Sequence, residues 1–141
     1  MGIVNEGLTY AMTTAFSTSP NKWYMGLISN SVTPVLQSTD TLAQVGGTNG
    51  WVEFNNYTGN RPLWVNGVPS NNRVTNATTT TNFTIAGTTG NTYTVYGTFL
   101  CSAATGTVGT LYSTRAFTAG TQVVTGTYVL QVNTTEGGVS S

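Results

Sequence analysis

Three runs in the second half of the chain constrain its fold most: TYTVYGTFLCS (Thr92–Ser102), VGTLYSTRAF (Val108–Phe117) and TQVVTGTYVLQVN (Thr121–Asn133). Each is rich in β-branched and aromatic residues, which suit a pleated, half-buried surface. Short turn signals part them, Ala104–Gly106 and Thr118–Gly120, and connections that short join antiparallel neighbours. A fourth run, NFTIA (Asn82–Ala86), precedes them across the turn Gly87–Asn91. Period-two alternation puts Tyr93, Val95, Gly97, Phe99 and Cys101 on one face of their strand.

The first half is less regular. NKWYMGLI (Asn21–Ile28) alternates Trp23, Met25 and Leu27 with Tyr24, Gly26 and Ile28. Both faces are apolar, so this strand belongs near the centre of the fold. Residues 29–49 form a connection too long for an inert loop, with room for a short helix or strand around Asp40 to Val45. WVEF (Trp51–Phe54) and PLWVN (Pro62–Asn66) read as short strands, the second at an edge because of Pro62. Arg73–Thr81 reads as an edge strand or loop. Val4, Leu8, Ala11, Met12 and Ala15 fall on one face of a 3.6-residue period. They predict a short helix over 5–13, with Asn5 as its cap, or else an arm that orders on a partner.

The expectation is one all-β domain: an antiparallel β-sandwich or jelly roll of seven to eight strands with a short N-terminal helix or arm. Residues 1–16 form the arm or helix, 17–135 the β-domain and 136–141 a frayed tail. At 141 residues there is little room for a second domain.

Composition narrows the chemistry. There are 30 Thr and 15 Val, four basic and four acidic side chains, no His and one Cys. A usual zinc site cannot be built from these, and His-based acid–base catalysis is absent. One Lys and three Arg neutralise few phosphates, so no nucleic-acid partner is expected. No apolar run approaches a membrane span, and the start of the chain, with Glu6 and no basic region, does not read as a secretory signal. Synthesis in the cytoplasm, no cofactor and no metal follow as expectations. A net charge of zero protects weakly against association, a modest hint of assembly.

The remaining candidates are few. Asp40 and Glu53 could form a glycosidase pair, but the ordinary reading is that Asp40 caps a turn and Glu53 pairs with Arg61 or Arg73. Ser19 and Lys22 match S-x-x-K without the companion motifs that give it meaning. Cys101, beside Phe99 on a strand, reads as a packing thiol. Trp23, Trp51, Trp64, Tyr24 and Tyr57 could make a sugar-stacking platform or a core, and their apolar neighbours favour the core. A guanidinium at Arg61, between Tyr57 and Trp64 in the chain, stacked on an aromatic ring and paired to Glu53, would make a structural lock, with Trp51, Glu53, Arg61 and Trp64 as its candidate members.

Read in order, WYMGLI (23–28), Asp40-Thr41, GWVEF (50–54), Tyr57, Arg61, Trp64, TVYGTFLCS (94–102), GTLYS (109–113) and a last strand with Val124, Tyr128, Leu130 and Val132 are distinctive. With the opening VNEGL (4–8) they resemble a group of small virion proteins of tailed bacteriophages. The resemblance spans nearly the whole chain on scattered residues. It departs at Gly120-Thr121, where the group has Gly-Asp. It implies a capsid decoration (cement) protein on the outside of the head, a dimer or trimer whose partner is the major capsid protein, with no active site. The segment Ile3 to Tyr10, with Ile3, Val4, Leu8 and Tyr10 as contact residues, would dock on the capsid or a neighbouring copy. A tail or head-fibre subunit, a carbohydrate-binding module relying on Trp51 and Trp64, and a glycosidase relying on Glu53 remain as alternatives, in that order.

Overall fold

A computed structural model describes residues 4–16, 22–29, 36–45, 51–70, 73–76, 78–87, 90–124, 129–132 and 135–137. It is mostly β, with one α-helix, α1 (Asn5–Ala15), and a 3-10 helix at Leu42–Val45. The strands are β1 (Tyr24–Ser29), β2 (Val52–Phe54), β3 (Arg73–Thr75), β4 (Thr81–Thr84), β5 (Thr92–Cys101), β6 (Leu111–Val124), β7 (Val129–Val132) and β8 (Thr135–Gly137).

Four strands form an antiparallel sheet in the order β2-β1-β5-β6, and two ribbons pair β3 with β8 and β4 with β7. The doubly apolar β1 lies inside the sheet, as its sequence requires. Met25 and Leu27 face one cluster, with Trp64, Val74, Phe83, Ile85 and Leu100. Ile28 faces the other, with Leu42, Val45, Trp51, Phe99 and Cys101. The first face is covered by β3, β4 and the end of α1, the second by the 3-10 helix.

Several sequence expectations are corrected. Tyr93 and Val95 pack on the first face, whereas Phe99 and Cys101 pack on the second. The register slips between Val95, opposite Thr121, and Gly97, opposite Ala116; such an irregularity breaks the alternation that a single face requires. That slip also absorbs Thr118–Gly120, so β6 runs unbroken through an expected turn. The run Thr121–Asn133 instead divides, its first part staying with β5 and Val129–Val132 leaving to pair with β4. Glu136 and Gly137, expected in a frayed tail, pair with β3.

Pro62–Asn66 is not a strand but still lies against β1. Met25 N donates to Pro62 O at 3.0 Å and Trp64 N to Trp23 O at 2.8 Å. Between β2 and Leu63 the chain makes an excursion from this sheet edge. The excursion is fastened to β4 by Thr58 N to Thr84 O, 2.8 Å, and by the Tyr57–Ile85 bridge.

The N-cap of α1 is Val4, which offers no side-chain hydrogen bond, and Asn5, expected as the cap, is the first helical residue. Its C-terminal carbonyls are capped by distant side chains: Trp23 Nε1 donates to Ala15 O at 2.7 Å, Lys22 Nζ to Thr14 O at 3.4 Å and Asn66 Nδ2 to Phe16 O at 2.9 Å. These donors supply what the last turn of a helix lacks. Met12 and Phe16 enter the core while Val4 and Ala11 are exposed, so the expected apolar stripe is only partly buried. No helix among the described residues is long and apolar enough to cross a membrane.

Candidate functional site

The polar centre of the fold lies where the excursion after β2 meets the β5–β6 connection. Arg61 is 4% exposed, and every N–H of its guanidinium is used. Nε donates to Glu53 Oε1 and Nη2 to Glu53 Oε2, both at 2.7 Å. Nη2 also donates to Gly106 O at 2.7 Å, and Nη1 to Ala103 O at 2.9 Å and Cys101 Sγ at 3.6 Å. The backbone N–H of Arg61 adds a bond to Ala104 O at 3.1 Å. A bidentate pair of this kind is strong and fixed in direction. One side chain thereby ties strand β2 to a connection more than 40 residues later.

The ring beneath this guanidinium is Phe99, with Cζ 5.3 Å from the centroid. Phe99 rests in space left by Gly26, where a Cβ would stand 2.1 Å from a ring atom. Trp51 packs on the same ring at 5.7 Å and donates Nε1 to Asp40 Oδ2 at 3.1 Å. Asp40 also accepts from Gln37 N at 3.0 Å, the turn-capping role expected of it. The candidates for the lock therefore separate: Glu53, Arg61 and, through Phe99, Trp51 act together. Trp64 lies in the other cluster, edge-on to Phe16 at 5.5 Å.

Electrostatics follow from burial. Burial opposes the charge of Arg61, but the hydrogen bond and charge of Glu53 outweigh it and raise its pKa. Burial raises the Cys101 thiol above its usual range against the lowering effects of a backbone hydrogen bond at Ala103 and of the Arg61 charge, so the thiolate is disfavoured. Burial, then the Glu53 carboxylate, holds the Tyr57 phenol far above its ordinary pKa. No group of three or more His, Cys, Asp or Glu that could hold a metal occurs among the described residues.

The docking candidates lie elsewhere. Tyr10 on α1 is 76% exposed, and Val4, the N-cap of that helix, is 67% exposed. Leu8 lies within the same helix, and Ile3 falls outside the described residues. The structure thus brings Val4, Leu8 and Tyr10 onto one element, remote in sequence from the lock. The Ala103 and Gly106 carbonyls and the Phe99 platform were missed by sequence reasoning, because acceptors in a distant loop leave no local pattern. The Gly-rich turn at Ala104–Gly106 was their one trace, and Gly106 does adopt a positive φ of 74°.

Comparison with known proteins gives no match: no family model fits the chain, and no curated protein or solved structure is similar to it.

Proposed function

We propose that this chain is a structural protein of a tailed-phage virion, a capsid decoration (cement) protein that binds the outer surface of the head. Its partners in this reading are the major capsid protein and copies of itself, as a trimer or dimer, and it catalyses no reaction. The two ribbons and the four-stranded sheet are read as the layers of a sandwich, since Val74, Phe83 and Ile85 pack against Met25, Leu27 and Leu100.

The observation that carries the reading is the way α1 is held. Its C-terminal end is fixed by Met12, Phe16 and three capping side chains, while Val4 and Tyr10 face solvent. A helix anchored at its C-terminal end, with the apolar side chains of Val4 and Tyr10 exposed toward the other, is suited to a partner. Burying two such side chains supplies about 2 kcal/mol each, which becomes strong when repeated by symmetry over a lattice. The commitment of Asp40, Glu53 and Arg61 to internal bonds argues against the glycosidase alternative. The complete burial of Trp51 and Trp64 leaves a sugar platform on them without a surface.

Cryo-electron microscopy of virions tests this. Density for the domain at regular positions over the head is expected, with α1 at the contact. Density confined to the tail or a vertex would replace decoration by a tail or fibre role, and absence from the particle would end the virion reading. Tyr10→Asp with Val4→Asp should leave the fold intact and weaken attachment by roughly several hundred-fold, about 30-fold for each change. Deletion is best stopped at residue 10, because Met12 belongs to the core.

A further inference from the structure

A cleft of about 180 Å³ opens above the Glu53–Arg61 pair, lined by Glu53, Asn55, Tyr57, Asn60, Arg61 and Thr105 among others. Tyr57 is only 8% exposed. Its ring is gripped edge-on by Phe83 at 5.0 Å and stacked at 6.5 Å on Phe54. Tyr57 lines the cleft beside Glu53 and Arg61, and its phenol is near enough to Glu53, Arg61 and Cys101 to feel their charges. Among the described residues the hydroxyl donates to no acceptor. The hydroxyl is not among the polar atoms sealed from solvent without a partner, so it is open to one in the cleft.

The chemistry of the lining selects the ligand. All five N–H groups of Arg61 are taken, so the one cation in the cleft has nothing to offer an anion. Each Glu53 oxygen takes one N–H from Arg61, leaving further lone pairs to accept from a ligand. Its charge is already balanced by the guanidinium, which removes the attraction for a free cation. Asn55, Asn60 and Thr105 stand exposed at the rim, and each can both donate and accept. The cleft is smaller than the pockets that enclose drug-sized ligands.

We propose that the cleft over Glu53, Tyr57 and Asn60 binds a neutral, hydroxyl-rich ligand the size of a single sugar ring. The Tyr57 O–H donates to one ligand oxygen, and the Glu53 carboxylate and the rim amide oxygens accept hydrogen bonds from the ligand's hydroxyls. This site is separate from the buried tryptophans and does not depend on the virion reading, since it is measured on the free chain.

The test is amide chemical-shift mapping of the full chain titrated with the methyl glycosides of glucose, galactose, mannose and N-acetylglucosamine. Inorganic phosphate and tetramethylammonium serve as charged comparators. At least one glycoside should shift the amides of residues 53–61 with a millimolar dissociation constant, and neither ion should. Tyr57→Phe, which keeps the packed ring, should weaken that binding about fivefold. Asn60→Ala, a change at the exposed rim, should also weaken it. Silence with all four glycosides overturns the proposal. So does phosphate or tetramethylammonium moving the same amides, or Tyr57→Phe and Asn60→Ala binding as the parent does.

Discussion

Replacing Arg61 by Met is the most informative change to the scaffold. The Arg61 and Glu53 side chains are 2% and 10% exposed, which places the pair in the buried regime, where loss of one partner costs about 3–5 kcal/mol. The surface regime, where such pairs contribute about 0–1 kcal/mol, does not apply. Arg61→Met leaves the Glu53 carboxylate without its counter-charge and removes the donors to Ala103 O and Gly106 O. At roughly 3 °C per kcal/mol for a chain this size, the melting temperature should fall by about 10–15 °C. Replacing both partners, Glu53→Leu with Arg61→Met, also removes the stranded charge. What then remains is the loss of donors to two carbonyls in a connection that water reaches, so the double variant should lie within about 1–2 kcal/mol of the parent. Urea denaturation of the parent, both single variants and the double closes a mutant cycle. A cost below about 1 kcal/mol for Arg61→Met, or a double variant as unstable as the single, would refute the lock.

Two further outcomes follow. Glu136 on β8 accepts from Ser113 Oγ at 3.0 Å, and burial raises its pKa against the lowering effects of that bond and of Arg115. Its contribution is therefore fully present below its unfolded pKa of about 4.3 and is lost as pH rises through the folded value. Glu136→Gln should be more stable than the parent at pH 7, within about 1 kcal/mol, and the advantage should vanish near pH 4. An advantage that grows on acidification would contradict this sign. Gly26→Ala drives a Cβ into the Phe99 ring, 2.1 Å away, and should cost about 1–3 kcal/mol in a urea titration. A neutral result would mean that Phe99 is not held where it supports Arg61.

Residues with a local signature were legible from the chain alone. The double alternation of Trp23–Ile28 marked an interior strand, and β1 lies between β2 and β5. Asp40 in a turn and Glu53 paired with either Arg61 or Arg73 needed only spacing and charge, because a chain with so few ions leaves each one few partners; the fold chose Arg61. Composition likewise fixed the β-rich class and limited the chemistry on offer, since β-branched side chains prefer strands wherever they fall.

Tertiary structure decided everything that depends on which segments meet. The slip between Val95 and Gly97 divides β5 between two cores, and it arises from pairing with β6, which no single strand encodes. The departure of Val129–Val132 to β4 and the capture of Glu136 by β3 are choices among competing partners. Arg61 announced a lock, but its platform at Phe99 and its acceptors at Ala103 and Gly106 lie roughly 40 residues away. Only the closed chain brings them within hydrogen-bond and ring-contact distance, because these interactions depend on separation in space and leave no period in the sequence.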